Sequence, residues 1–431
     1  MEELVVFLGS LFLLLFTGMP IAIVLMLCCM TLIWYIDMGD IAYQLSFQIV
    51  SGSDNYILIT VPFFILAGEI MKEGGISEQL IRFAQAVVGR FRGGLGYATI
   101  LACMLFAGLS GVAIADVAAL GGILVPMMAA VGYDKARSTG LVCSAALTAP
   151  IIPPSLPMII LGVTVGLSIG RLFVMGIGPG VMLGLSIMVA WFFVVRRDNY
   201  RDVTKVPAKE MPAIFMKALP SLLLPIIIIV GIRMGYFTPT EGGAVACAYA
   251  FIVATVINRA LKLAQLPNLF FSACKSTALV MFIVGGACAI GWIITMADVP
   301  SSLVTLIGGL VDHPVALLIV LNIFLLCIGM VMDITPVTLI FAPVIFPIVE
   351  AAGIDVYYFA IIMILNLCIG LLTPPVGTVL FVGCSISKLS MVKIVKGIGP
   401  FLIAEITFLI LCLIFPAVIM APASWLGAGV K

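Results

Sequence analysis

Long apolar runs, separated by short segments that hold most of the charge, organise this chain. Runs at 4–17, 20–36, 56–72, 138–167 and 172–195 in the first half predict membrane-spanning helices, as do 219–235, 240–257, 275–296, 356–386 and 398–420 in the second. The warrant is length, since about 20 apolar residues cross a bilayer. The pieces 4–17 and 20–36 are short for separate spans, but the break at Thr17-Gly18-Met19-Pro20, matched later by Thr238-Pro239-Thr240-Glu241, favours two helices over one.

The run 95–131 predicts something else. Arg90 and Arg92 precede it and Lys135 and Arg137 follow it, so the bias of positive charge toward the cytoplasm places both its ends inside. A segment with both ends on one face is a re-entrant hairpin. Its tip falls at Gly108-Leu109-Ser110-Gly111, and such a turn survives at membrane depth only when buried in protein or lining a cavity. The run 314–352 reads as a second hairpin that opens outside, flanked by Asp312, His313 and Asp355 and free of Lys and Arg. The polar stretch from Arg196 to Arg201, continuing through Lys205, Lys209 and Lys217, is the strongest cytoplasmic signal and divides the halves. Counting spans back from it puts the N-terminus outside and gives the halves opposite orientations. In 76–88, Ile76, Leu80, Ile81, Ala84, Val87 and Val88 share one face while Glu78, Arg82 and Gln85 face away, which predicts a helix in the membrane interface. Residues 299–310 take the equivalent place.

The two halves are copies. Residues 108–179 and 329–400 align without a gap at an offset of 221, and the coinciding residues are helix breakers: Gly108 and Gly329, Pro126 and Pro347, Gly132 and Gly353, Pro153-Pro154 and Pro374-Pro375. The register slips by two earlier, where Gly68 matches Gly291. Paired halves with Gly/Pro-interrupted apolar segments at corresponding places point to a secondary transporter whose site lies between the repeats.

Composition sharpens this and excludes alternatives. Apolar residues make up 63% of the chain and charged ones 10%, against about 25% charged in soluble domains. The protein is expected to sit in the lipid bilayer, and a net charge of +1 gives no reason to expect a nucleic-acid partner. The N-terminus lacks the positive flank and cleavage site of a signal peptide, so its first apolar segment is expected to stay in the membrane. Most of the 11 cysteines lie inside apolar runs without metal-ligand spacing and read as small packing residues. Catalytic and nucleotide-binding motifs are absent, and the single histidine, His313, reads as a loop residue, so the chain is not an enzyme and its transport must draw on an ion gradient.

Candidate chemistry gathers at the hairpin tips, 107–112 and 328–336, and at two broken spans, Thr148–Ser155 and Gly370–Gly377. Each proline removes an amide donor and frees carbonyls upstream. Freed carbonyls with a hydroxyl nearby suit sodium, and the helix N-termini across the break suit an anion. Asp333, beside the second tip, and Asp116, past the first, are intramembrane acids and hence functional candidates. Capping is the competing role for both and the favoured one for Asp116. Glu69, Glu241, Asp298, Glu350 and Glu405 read as interfacial or satisfied by packing.

At VPFFILAGEIM (61–71), GGLGYATILACMLFAGLSGVAIAD (93–116), APIIPPS (149–155), FTPTEGGAVA (237–246), GMVMDITPV (329–337) and GLLTPPVG (370–377) the chain resembles the large membrane subunit of tripartite ATP-independent periplasmic (TRAP) transporters. The likeness is nearest to sugar-acid members such as the 2,3-diketo-L-gulonate system, with sialic-acid and C4-dicarboxylate members nearby. The resemblance implies an all-α, elevator-type ion-transporter fold of two inverted repeats, each with a re-entrant hairpin and a broken transmembrane helix, in a bacterial inner membrane. It implies sodium-coupled uptake of an organic acid, with at least two sodium ions and no organic cofactor. A small four-helix membrane subunit and a periplasmic substrate-binding protein would be the partners; a stand-alone sodium/carboxylate symporter is the alternative. By position, one sodium would lie near Gly108, Ser110, Ala149, Ile152 and Pro154, another near Gly329, Gly370, Thr373 and Val376, and the substrate near Ser110, Ser155 and Asp333. The organisation expected is a first repeat at 1–199, with scaffold 4–90 and transport core 93–170, then a linker at 200–218. The second repeat follows at 219–431, with scaffold 219–312 and core 314–390.

Overall fold

In the computed structural model, which describes residues 2–198, 200, 206–207, 209–297, 309 and 311–425, the chain is helical and those residues contain no strand. The first half runs α1 (Glu2–Phe16), α2 (Ile21–Tyr35), α3 (Gln44–Ser53), α4 (Thr60–Glu73), α5 (Ile76–Val88), α6 (Gly94–Ser110), α7 (Ala113–Ala130), α8 (Lys135–Ala146), α9 (Leu156–Val165) and α10 (Ile169–Arg197). The second runs α11 (Met211–Arg233), α12 (Pro239–Ile252), α13 (Leu266–Met296), α14 (Pro314–Gly329), α15 (Ile334–Ala351), α16 (Val356–Leu371), α17 (Thr378–Ser387), α18 (Met391–Ile414) and α19 (Ala417–Trp425). Among the described residues seven helices are long and apolar enough to cross a membrane, or up to eight if the pair α3–α4, bent by 54°, counts as one span. Two of the seven, α7 and α15, are arms of the two hairpins, and the other apolar helices are shorter. α1 and α2, 15 residues each, are two helices of about 22 Å rather than one.

Local chemistry sets the boundaries. α6 and α7 form the first hairpin and α14 and α15 the second. The first hairpin turns at Gly111, whose φ of +64° is left-handed backbone open to glycine at little cost. After each hairpin the chain turns at a glycine, and an aspartate starts the next helix: Asp134 Oδ1 accepts from Arg137 N at 2.7 Å, and Asp355 Oδ1 from Tyr358 N at 2.8 Å. α8 and α9 are the halves of one broken span, α16 and α17 of the other.

Packing repeats the duplication. α7 packs on α17 and α15 packs on α9, while α4 packs on α12 and α13 on α2. At the offset of 221, α15 is the equivalent of α7 and α17 of α9, so each contact between halves recurs with the roles exchanged, as a two-fold pseudo-axis requires. The start of the linker is pinned to the base of the first hairpin: Arg92 Nε donates to the Tyr200 carbonyl at 2.9 Å, and the Arg137 guanidinium lies 3.5 Å from Asp198. Trp34, Phe47 and Val50 of α2 and α3 remain exposed, presenting an apolar flank.

Several boundaries differ from the hydropathy reading. α3 and α19 are additional, α13 starts at 266 rather than 275, and α18 at 391 rather than 398. Hydropathy marks the part of a helix that meets lipid, whereas backbone hydrogen bonding carries helices on into polar sequence. In α5 Ile76, Leu80, Ile81 and Ala84 are buried as expected, but Val87 is exposed and Ala86 takes its place. The stretch 299–310 lies outside the described residues except Gly309, as does Asp298.

Candidate functional site

The first tip lies against the first break. A Cβ on Gly111 would meet the Pro154 carbonyl oxygen and come within 3.1 Å of Leu156 N, and one on Gly108 would lie 3.5 Å from the Pro153 carbonyl oxygen. Val112 N–H, which would close on the Gly108 carbonyl in a continuing helix, instead donates to Ser110 Oγ at 3.3 Å. Pro153 and Pro154 have no N–H for the carbonyls of Ala149 and Pro150. Ser155 Oγ replaces one of them, donating to the Pro150 carbonyl at 2.5 Å while capping α9 by accepting from Met158 N at 3.3 Å. The carbonyls of Gly108, Ala149 and Ile152 therefore have no donor among the described residues.

The second tip meets the second break in the same way. A Cβ on Gly370 would lie 2.6 Å from the Gly329 carbonyl carbon, so the two backbones touch. Val376 and Gly377 N–H both donate to the Met330 carbonyl at 3.2 Å, tying break to tip. The Thr373 hydroxyl donates to the Ile369 carbonyl at 2.7 Å, which leaves its oxygen lone pairs free. Thr373 N–H donates to the Gly370 carbonyl at 2.9 Å, while the carbonyls of Gly329 and Val376 have no donor among the described residues, so both places offer free oxygens to a hard cation.

Between the tips the N-termini of α7, α9 and α15 converge on a void of about 30 Å³ lined by Val112, Ile114, Leu156, Asp333 and Thr335. Three positive helix ends facing one spot favour an anion there. Beside it opens a cavity of about 560 Å³, within the range of small-molecule sites, walled by the hairpins on one side and by α4 and α13 on the other. On α4 the cavity follows Ile65, Gly68, Glu69 and Lys72 toward the helix end that leads to Arg90 and Arg92; on α13 it follows Ser276 to Ile283, just past Arg259 and Lys262. The cavity thus opens toward the Lys/Arg-bearing ends of these helices, the ends that the positive-charge bias assigns to the cytoplasm.

Of the expected substrate residues, Ser110 and Asp333 line this cavity, and Asp333 also caps α15 by accepting from Ile334 N at 2.7 Å. Ser155 is fully buried behind them and shapes the break. Asp116 does not cap: its Oδ1 accepts the Ser110 hydroxyl, its Oδ2 has no partner among the described residues, and it is fully buried. Glu69 is not satisfied by packing but lies in the cavity wall 3.7 Å from Lys72. Glu405 is fully buried and neither oxygen finds a hydrogen-bond partner among the described residues. Glu241 closes a capping box with Thr238. Lys72 and Ser276 escaped the sequence reading; the helical spacing of 65, 68, 69 and 72 was the available signal for Lys72.

Residues 8–418 match the family described as Tripartite ATP-independent periplasmic transporter, DctM component. The chain is 43% identical over 422 residues to the 2,3-diketo-L-gulonate TRAP transporter large permease protein YiaN of Escherichia coli, covering 98% of this chain and 99% of that one. It is 39% identical to the C4-dicarboxylate TRAP transporter large permease protein DctM of Pseudomonas aeruginosa (90% and 91% covered) and 34% identical to the sialic acid TRAP transporter large permease protein SiaM of Vibrio cholerae (96% and 97%). The solved YdaH transporter of Alcanivorax borkumensis shares the fold at a TM-score of 0.63 and 11% identity, over 87% of each chain. With paired hairpins and broken helices as its frame and matches along nearly its whole length, the chain belongs to the DctM family: it is the large, multi-pass inner-membrane permease subunit of a TRAP transporter and not an enzyme.

Proposed function

We propose that this permease couples inward sodium flow to uptake of a hydroxyl-rich sugar acid delivered by a periplasmic binding protein, in complex with a small membrane subunit. The observation that carries the reading is that carbonyls without a donor among the described residues, those of Gly108, Ala149 and Ile152 at the first tip and break and those of Gly329 and Val376 at the second, stand at the two repeat-equivalent places whose helix N-termini converge on the central void. One sodium would be held by the carbonyls of Gly108, Ala149 and Ile152 and by Ser110 Oγ, with Pro154 at its edge. The other would take the carbonyls of Gly329, Gly370 and Val376 and the Thr373 hydroxyl. Bound sodium would add the charge that draws an organic carboxylate to the N-termini of α7, α9 and α15. Asp333 repels a bare dicarboxylate but accepts from sugar hydroxyls, which favours the substrate types named for the diketogulonate and sialic acid relatives. The hairpins and broken helices would carry the cargo as a moving core past a scaffold that includes α2, α4 and α13.

Reconstituted with its partners, the protein should accumulate the acid only when sodium is outside. Equal uptake with potassium in place of sodium would refute the coupling, and uptake by this subunit alone would favour a stand-alone symporter.

A further inference from the structure

Among the described residues lining the 560 Å³ cavity, Lys72 is the one cationic side chain, and it stands on α4 rather than on a hairpin. The other charges there are Glu69, on the same helix, and Asp333 across the cavity. The Lys72 ammonium is 3.7 Å from the Glu69 carboxylate, beyond hydrogen-bond reach, and 43% of its side chain remains exposed. A pair of this kind is weak, so the ammonium keeps its donors available to the cavity. An organic anion entering here meets two carboxylates and this single side-chain cation.

We propose that Lys72 binds the substrate carboxylate from the scaffold side when the cavity faces the cytoplasm, and that Glu69 holds the ammonium when substrate is gone. The assignment rests on the reading above that the cargo is an organic carboxylate taken up with sodium. Ser110 and Asp333 belong to the hairpins and would travel with the cargo, whereas Lys72 stays with α4. Its contact therefore forms only in the cytoplasm-open arrangement. Lys72 then sets the affinity for substrate at the release face and leaves capture from the periplasm untouched, and it selects carboxylates over neutral polyols of the same shape.

The test uses the reconstituted three-component system with diketogulonate, sialic acid or succinate, whichever the wild type accumulates. Counterflow is measured while internal and external acid are varied separately. Lys72→Gln should raise the internal half-saturation concentration about tenfold or more, the loss of one charged hydrogen bond, with the external value unchanged. Lys72→Arg should retain wild-type behaviour, and Glu69→Gln, which frees the ammonium, should lower the internal value. An unchanged internal value in Lys72→Gln, or equal rises on both faces, overturns the assignment. If Lys72→Gln fails to fold, Glu69→Gln decides: a lowered internal value supports the role and an unchanged one overturns it. A wild type that accumulates none of the three acids overturns the transport reading and this assignment with it, while intact sodium-driven uptake with an inert Lys72 overturns the assignment alone.

Discussion

Gly370→Ala tests the contact on which the second cation site depends. The added Cβ would lie 2.6 Å from the Gly329 carbonyl carbon, 2.8 Å from its Cα and 2.9 Å from its oxygen, against 3.4 Å or more in ordinary contact. All three are backbone atoms, so no side chain can rotate aside. Tip and broken helix must part by about 0.8 Å to bring 2.6 Å up to 3.4 Å, and overpacking of this kind costs about 1–3 kcal/mol. The strain falls on the carbonyls proposed to hold sodium. At tenfold per 1.4 kcal/mol, half-maximal sodium should rise about fivefold to about a hundredfold. The assay is a sodium titration of thermal stability on the purified complex, repeated as uptake in proteoliposomes. Gly399→Ala is the control, since a Cβ there meets nothing within 4 Å. A Gly370→Ala protein whose sodium dependence matches that control would refute the reasoning.

Thr373→Ala removes a hydroxyl oxygen whose proton is already committed to the Ile369 carbonyl, so it should raise the sodium requirement while leaving substrate affinity at saturating sodium near wild type; an unchanged sodium titration counts against the site. Asp333→Asn keeps an N-cap for α15 but loses the carboxylate, and should cut uptake about tenfold or more with little change in thermal stability, since a hydrogen bond to a charged group contributes about 1.5–3 kcal/mol. Near-normal uptake would leave Asp333 with capping alone. On a cysteine-free background, single cysteines at Arg92 and Lys135 should label only from the cytoplasm and those at Asp312 and Asp355 only from the periplasm; labelling of either pair from opposite faces would turn that hairpin into a span.

The duplication, the two hairpins and the two broken spans were legible in the sequence because covalent chemistry writes them locally. Proline has no N–H, glycine has no Cβ, and aspartate reaches an amide three residues on, so Pro153-Pro154, Gly111 and Asp134 act as they do wherever they stand. Lys/Arg placement assigns the cytoplasmic ends on a similar local ground, because a charge left in lipid is costly in any fold. Tertiary structure alone decided where the polar side chains between those breaks point. Ser155 lay beside the substrate as a sequence position, yet its hydroxyl turns to the Pro150 carbonyl. Asp116 looked like a cap and instead takes the Ser110 hydroxyl, while Glu69, which read as interfacial or satisfied by packing, walls a cavity together with Lys72. The partners of Ser155 and Asp116 stand only five and six residues away, yet the turns that bring them together are set by the packing of tip on break, and the cavity beside Glu69 and Lys72 is closed by elements far away in the chain, whose approach no local pattern records.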